Sequence, residues 1–340
     1  MSADAPTRWL ITGAAGMLGR DLAEVLAGTG ADAGAGARID ARIDARTGAR
    51  TEVTALTRAH LDITDTAAVR AAVEGHDVVV NAAAWTDVDG AETEEAAATR
   101  INGDGPRALA EACAATGAVL LQVSTDYVFP GDATEPYRHD APTSPVNAYG
   151  RGKLAGEEAV LKLLPERGYV VRTAWLYGAH GRNFVATMLR LAGQRETLDV
   201  VDDQRGQPTW TRALARQLRD LGTAAVRDEA PAGVYHGTAS GTASWFDLAR
   251  AAFELTGLDP ERVRPTTSEK FVRPARRPSY SVLAHERWAE AGVAPQPHWR
   301  EQLAEALKAM APGPGHAAPA PAPAPTRGPA PARAPLPPAP

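Results

Sequence analysis

The chain has 340 residues, with 36 Lys and Arg against 41 Asp and Glu and a formal net charge of −5, enough length for one large α/β domain with an appended lobe. That mildly acidic balance carries no nucleic-acid footprint, and no apolar run reaches the length that spans a bilayer. The N-terminus lacks a signal-peptide core and the single cysteine, Cys113, excludes an intrachain disulfide, so a cytoplasmic protein without membrane or nucleic-acid partners is expected.

Trp9-Leu10-Ile11-Thr12 reads as a short buried strand and residues 20–26 as an amphipathic helix. Between them runs Gly13-Ala14-Ala15-Gly16-Met17-Leu18-Gly19. The glycines permit a tight turn and close backbone approach, and the helix N-terminus offers free N–H groups and a positive dipole end to a pyrophosphate. The Gly-x-x-Gly-x-x-Gly spacing is typical of short-chain dehydrogenases and reductases, so this segment is expected to bind a dinucleotide. Residues 28–50 follow, rich in Ala, Gly, Arg and Asp with the repeat Ala-Arg-Ile-Asp, and read as a variable surface insertion.

Residues 51–56 read as the second strand, followed by Thr57-Arg58 and then Leu61-Asp62-Ile63. An acidic residue directly at that strand end would hold the adenine ribose 2′-hydroxyl and repel a 2′-phosphate. Here Arg58 stands ready to pair with the phosphate, so NADPH is expected, with NADH open as the alternative. Residues 76–81 form a buried strand ending in Ala82-Ala83-Ala84, whose small side chains leave room for a cofactor. Residues 117–124 form another, running into Thr125-Asp126-Tyr127.

Asn147-Ala-Tyr149-Gly-Arg-Gly-Lys153 comes next. On a helix this spacing stacks a phenol and an ammonium on one face, and a neighbouring cation favours phenolate, lowering the tyrosine pKa. Such a phenol exchanges a proton with a carbonyl oxygen while a cofactor delivers hydride to the carbon. Lysine is otherwise confined to Lys162, Lys270 and Lys308. Residues 169–177 read as one further strand. Strands alternating with helices predict a Rossmann-like, doubly wound parallel α/β sheet with a smaller C-terminal substrate-binding lobe. Residues 1–178 would be mainly the NAD(P)-binding domain, 179–310 mainly the lobe, and the Pro/Ala-rich residues 311–340 a disordered tail.

Several stretches together resemble the dTDP-4-dehydrorhamnose reductase family of extended short-chain dehydrogenases. They are Asn81-Ala-Ala-Ala-Trp-Thr-Asp-Val-Asp-Gly-Ala-Glu92, Ser124-Thr-Asp-Tyr-Val-Phe129, Arg172-Thr-Ala-Trp-Leu-Tyr-Gly178, Val201-Asp-Asp-Gln-Arg-Gly-Gln-Pro-Thr209 and Gly233-Val-Tyr-His-Gly-Thr238. The resemblance covers roughly residues 8–310 apart from the insertion. It implies NAD(P)H-dependent reduction of the C4 ketone of a dTDP-sugar, with Thr125, Tyr149 and Lys153 catalytic. It implies that Gly13, Gly16, Met17, Leu18, Gly19, Arg58, Asp62, Ile63 and Ala82 to Ala84 line the cofactor together with Tyr149 and Lys153. Thr125, Asp126, Trp175 and Gln204 would meet the sugar nucleotide, and Arg273, Arg276 and Arg277 are candidates to neutralise a diphosphate. No metal-ligand spacing stands out, and a monomer or homodimer is expected. A 4,6-dehydratase would need glutamate where Tyr127 stands. A dihydrostreptose-type reductase remains open, and a noncatalytic regulatory subunit is disfavoured by the complete Thr/Tyr/Lys set.

Overall fold

The computed structural model describes residues 5–28, 38–43 and 50–310. The proposed tail and most of the 28–50 insertion lie outside the described residues. Strand β1 (Thr7–Thr12) leads through the glycine turn into helix α1 (Met17–Ala27). Next come β2 (Arg38–Ile43), β3 (Arg50–Leu56), α2 (Thr66–Val73) and β4 (Val78–Asn81). Short helices α3 (Val88–Thr93) and α4 (Glu95–Thr99) and a π-helical turn at Arg100–Asp104 precede α5 (Gly105–Thr116), β5 (Val119–Thr125), α6 (Ala148–Leu163) and β6 (Gly168–Thr173).

The chain then leaves the sheet through β7 (Leu176–Tyr177), α7 (Phe184–Ala192), β8 (Leu198–Val201), β9 (Arg205–Gly206) and β10 (Thr209–Trp210). It returns with α8 (Thr211–Val226) and β11 (Gly233–His236), and closes with β12 (Ala239–Ser240), β13 (Ala243–Ser244), α9 (Trp245–Leu255), β14 (Val263–Thr266), β15 (Gln296–His298) and α10 (Trp299–Met310).

Seven strands form the central sheet in the order β11-β6-β5-β4-β1-β3-β2. The first six run parallel, and β2 pairs antiparallel to β3 at the edge. Alternate residues feed the two faces, as the period of a strand requires. Trp9, Ile11, Val78, Val80, Val119, Leu121 and Val171 pack towards α1 and α8, while Leu10, Val79, Leu120 and Val170 pack towards α2, α5 and α6. This is the three-layer, doubly wound Rossmann-like arrangement. Cys113 sits in the second of these cores, and burial pushes its thiol up to about 12, so it stays an inert packing group. The strand order reverses between β1 and β4, so the binding crevice falls at the carboxyl ends of those strands.

Two sequence expectations change. Residues 169–177 are not one strand: β6 stops at Thr173, Trp175 adopts φ 47°, and Leu176–Tyr177 pairs instead with Thr209–Trp210. The apolar run continues through the break, so periodicity alone conceals it. Part of the expected insertion, Arg38–Ile43, is an edge strand rather than loop.

Residues after 178 serve both bodies. Tyr177, Val185, Trp210, Leu248, Trp299 and Leu303 form a separate core for α7, α9 and α10. By contrast Leu214, Leu218, Leu221, Tyr235 and Trp288 join the sheet core. Gly222 of α8 comes so close to β1 that a Cβ there would stand 2.4 Å from the Trp9 ring.

Candidate active site

The glycine turn is shaped by close approach. Gly13 has φ +71°, and a Cβ on it would lie 2.5 Å from the Ala83 nitrogen. Only glycine fits there, because the conformation is left-handed and the neighbour is backbone. A Cβ on Gly19 would lie 2.4 Å from the Gly13 carbonyl oxygen. Gly16 caps α1 without any side-chain hydrogen bond, so the first N–H groups of the helix remain open to an anion. Ala14 N donates to Leu56 O at 3.0 Å, tying the turn to the end of β3, beside exposed Arg58. These features fit a dinucleotide pyrophosphate.

A polar ladder fixes the neighbouring strand ends. Thr12 Oγ1 donates to Asn81 Oδ1 at 2.5 Å, Asn81 Nδ2 to Gln122 Oε1 at 2.7 Å, and Gln122 Nε2 to Val123 O at 2.8 Å. Lys153 Nζ donates to the same Val123 O at 2.6 Å. Lys153 is 4% exposed, and burial lowers its pKa to about 8 against the opposing charge of Glu157. Glu157 in turn accepts from Arg172 Nη2 at 2.7 Å and Ser124 Oγ at 2.5 Å.

Glycines bring α6 close enough to place both side chains. A Cβ on Gly150 would stand 2.2 Å from Tyr127 O, and one on Gly156 2.3 Å from Asn102 O. Each mid-helix glycine costs about 0.5–1 kcal/mol relative to alanine, offset here by close packing. Tyr149 rests edge-on to Tyr127, centroids 6.0 Å apart. Its pKa is pushed up to about 12 by burial first and then by the Asp126 carboxylate, with Thr125 pulling the other way. The sequence expectation of a lowered phenol pKa is therefore corrected: Lys153 turns its charge to a backbone carbonyl, and desolvation wins. Asp126 is fully buried, accepts from Thr125 Oγ1 at 2.9 Å, and is raised by burial to about 6.

These groups share a cleft of about 540 Å³. It is lined by Gly16, Met17, Leu18, Gly19, Ala82, Ala83, Ala84, Thr125, Asp126, Tyr149, Lys153 and Trp175 among the expected residues. Gly13, Arg58, Asp62, Ile63 and Gln204 stand outside that lining. Asp62 accepts from Thr64 N and Oγ1 at 3.0 and 2.8 Å, and the Ile63 side chain is buried against Gly105. Gln204 accepts from Trp245 Nε1 at 3.1 Å and donates to Ser268 Oγ at 2.8 Å, so it supports the wall from behind. Arg277 and Arg273 pair with Asp89 at 3.1 and 4.0 Å and do not line the cleft.

Trp245 and Arg182 are lining residues that sequence reasoning missed. Trp245 stacks on Trp175 with centroids 3.7 Å apart and planes at 8°. Its only sequence signal is the capping box Ser244 to Asp247, which places it at a helix start but not at a ligand. Outside the cleft, Asp21, Glu24 and His180 converge, but Thr211 already donates to Asp21 and Arg212 pairs with Glu24 at 3.0 Å.

A model of the RmlD substrate binding domain matches residues 7–311. The chain belongs to the RmlD substrate binding domain family. This RmlD-family chain is 56% identical over 305 residues to a dTDP-4-dehydrorhamnose reductase of Streptomyces griseus, covering 89% of this chain and 94% of that protein. It is 50% identical over 301 residues to a dTDP-4-keto-6-deoxy-D-glucose reductase of Streptomyces niveus, covering 88% and 96%. Among solved structures it resembles dTDP-4-dehydrorhamnose reductase from Bacillus anthracis in complex with NADP, with a TM-score of 0.78, 34% identity, and coverage of 90% of this chain and 100% of that one. Among the described residues of this RmlD-family member, no helix is long and apolar enough to cross a membrane.

Proposed function

We propose that this protein is an NADPH-dependent oxidoreductase that reduces the C4 ketone of dTDP-4-dehydro-L-rhamnose to dTDP-L-rhamnose. The observation that carries the reading is the convergence of Thr125, Tyr149 and Lys153 in one cleft with the open N-terminus of α1. The relatives' names set the substrate class, and the NADP-bound relative supports the cofactor. Gly16 to Gly19 and Ala82 to Ala84 would hold the cofactor, with Arg58, Asp62 and Ile63 serving its adenosine end.

Bound NADPH supplies the hydride that adds to C4 and is released as NADP⁺. As the C=O π bond breaks, its electron pair moves to the oxygen. Tyr149 Oη donates a proton there. Its raised pKa keeps the phenol protonated at neutral pH, which suits a general acid in the reducing direction. The Thr125 hydroxyl, which donates to Asp126 in the free protein, re-aims at the same oxygen. Lys153, buried at the back of the cleft, would hold the nicotinamide ribose, and Asp126 accepts from a sugar hydroxyl. The Trp175–Trp245 pair offers a flat wall for the sugar nucleotide, whose diphosphate and base supply binding energy remote from the ketone. Water elimination from dTDP-glucose is disfavoured, because Tyr127, its pKa pushed up by burial, stands where a dehydratase needs glutamate.

Identity to the Streptomyces niveus enzyme favours a second reading, the same reduction on the D-configured 4-ketone. Incubation with NADPH and each 4-keto sugar in turn, followed by NMR of the product, decides between them. Consumption of neither ketone would refute the assignment. We further place the protein in the cytoplasm as a monomer or homodimer acting on a small molecule, a reading supported by its unpaired Cys113 and mild net charge.

A further inference from the structure

The proposed reaction brings two nucleotide diphosphates into one cleft, yet the cleft is poor in positive charge. Its lining contains two cationic side chains, Lys153 and Arg182. Lys153 is buried at the back and bound to Val123 O. The arginines 273 and 277 are drawn to Asp89. Arg212, beside the same loop, is paired with Glu24. Arg182 is exposed, and no ion pair, hydrogen bond or ring contact engages it among the described residues.

The backbone carrying Arg182 is fixed on both sides. Gly178 is wedged against α1 and α8, since a Cβ there would lie 2.2 Å from Thr211 Oγ1 and 3.4 Å from Met17 Sδ. His180 Nε2 lies 3.1 Å from Glu24 Oε1 on α1. Asn183 Nδ2 donates to Gly178 O at 2.9 Å, while its Oδ1 accepts from Ala186 N at 2.9 Å and caps α7. Gly181 turns the chain with φ +72° between these anchors. A held backbone bearing an unengaged guanidinium beside the first turn of α1 is suited to receive an anion. Little backbone order has to be gained on binding, and the fork of N–H donors matches two phosphate oxygens.

We propose that Arg182 binds the diphosphate of a nucleotide ligand in this cleft. The inference rests on the reading of the cleft as a nucleotide-sugar reductase site. The ligand chemistry is an organic pyrophosphate, and the two sources that carry it are the sugar nucleotide and the dinucleotide cofactor.

The test measures dissociation constants of dTDP and of NADPH, separately and without turnover, for the wild-type protein, Arg182→Ala, Arg182→Lys and Arg190→Ala. Arg190 is exposed on α7, away from the cleft lining, and serves as the control. Loss of a charge-assisted phosphate contact weakens binding by about 10- to 100-fold. Arg182→Ala is expected to show that loss for at least one ligand. Arg182→Lys, which keeps the charge but not the fork, should fall between Arg182→Ala and wild type, and Arg190→Ala should match wild type. A loss confined to dTDP assigns the contact to the sugar nucleotide, and one confined to NADPH assigns it to the cofactor. Wild-type affinity for both ligands in Arg182→Ala overturns the inference while leaving the reductase reading intact. If the wild-type protein binds neither ligand, the reductase reading fails and the inference falls with it.

Discussion

Lys153→Met should make the protein inactive and, near neutral pH, more stable. The lysine is 4% exposed, and burial depresses its pKa from 10.5 to about 8. Holding the charged form in the fold at pH 7 therefore costs about 3 kcal/mol relative to the unfolded chain. Methionine is of similar length and carries no charge to desolvate. Its drawback is the lost donor to Val123 O, about 1 kcal/mol, moderated because Gln122 Nε2 still reaches that oxygen at 2.8 Å. Glu157 keeps Arg172 as its ionic partner at 2.7 Å. The net gain is about 2 kcal/mol, a rise in Tm of roughly 3 °C for a protein of this size.

The pH dependence gives the sharper test. Between pH of about 8 and 10.5 the unfolded wild-type chain binds a proton that the folded one has released, so wild-type stability rises with pH across that window. Below it the lysine is charged in both states and the full penalty is present. The advantage of the methionine variant should therefore be large at pH 7 and fade as pH climbs through the window, with other titrations cancelling in the difference. Thermal unfolding of both proteins at several pH values, without cofactor, measures it. A variant less stable by the same amount at pH 7 and pH 10 would refute the assignment of a desolvated ammonium.

Three further outcomes are expected. Tyr149→Phe should lower kcat by about 10²–10⁴-fold with NADPH binding retained; near-normal turnover would remove Tyr149 as the acid. Arg58→Ala should raise KM for NADPH about tenfold and leave KM for NADH unchanged, since only the former carries a 2′-phosphate; equal effects on the two would contradict that role. A Cβ on Gly206 would lie 2.6 Å from Trp175 Cε2, so Gly206→Ala should displace the indole and weaken dTDP binding about tenfold while sparing NADPH. Unchanged dTDP affinity, measured by calorimetry, would separate Trp175 from the nucleotide.

The parts of the site legible in the sequence are those that local rules govern. The glycine turn, the small residues after Asn81 and the Tyr149–Lys153 spacing each follow from the backbone geometry of one element, and the structure gathers them in one cleft. What stayed hidden depends on contacts between distant segments. The direction of the Tyr149 shift depends on burial and on Asp126, which spacing does not encode. Trp245 reaches the cleft only because the lobe stacks it on Trp175, itself turned out of the strand by a left-handed backbone. Arg273 and Arg277 looked available until Asp89, nearly two hundred residues earlier, drew them in. In the sheet, the edge strand Arg38–Ile43 escaped notice because its composition resembles a loop and its pairing partner, β3, supplies the order.

The return of the chain to the sheet after residue 210 limits how this protein can change its substrate. Helix α8 covers Trp9 and β11 completes the edge beside β6, so a fragment ending at Gly178 would leave part of one sheet face bare. A lobe exchanged with a relative at that point would bring a foreign α8 against β1, where Gly222 admits the Trp9 ring with no room for a methyl group. A changed ligand preference is thus reached more readily by altering side chains on loops such as 178–183 and 201–209 than by shuffling whole modules, because the core of α7, α9 and α10 and the helix that closes the sheet are inherited together.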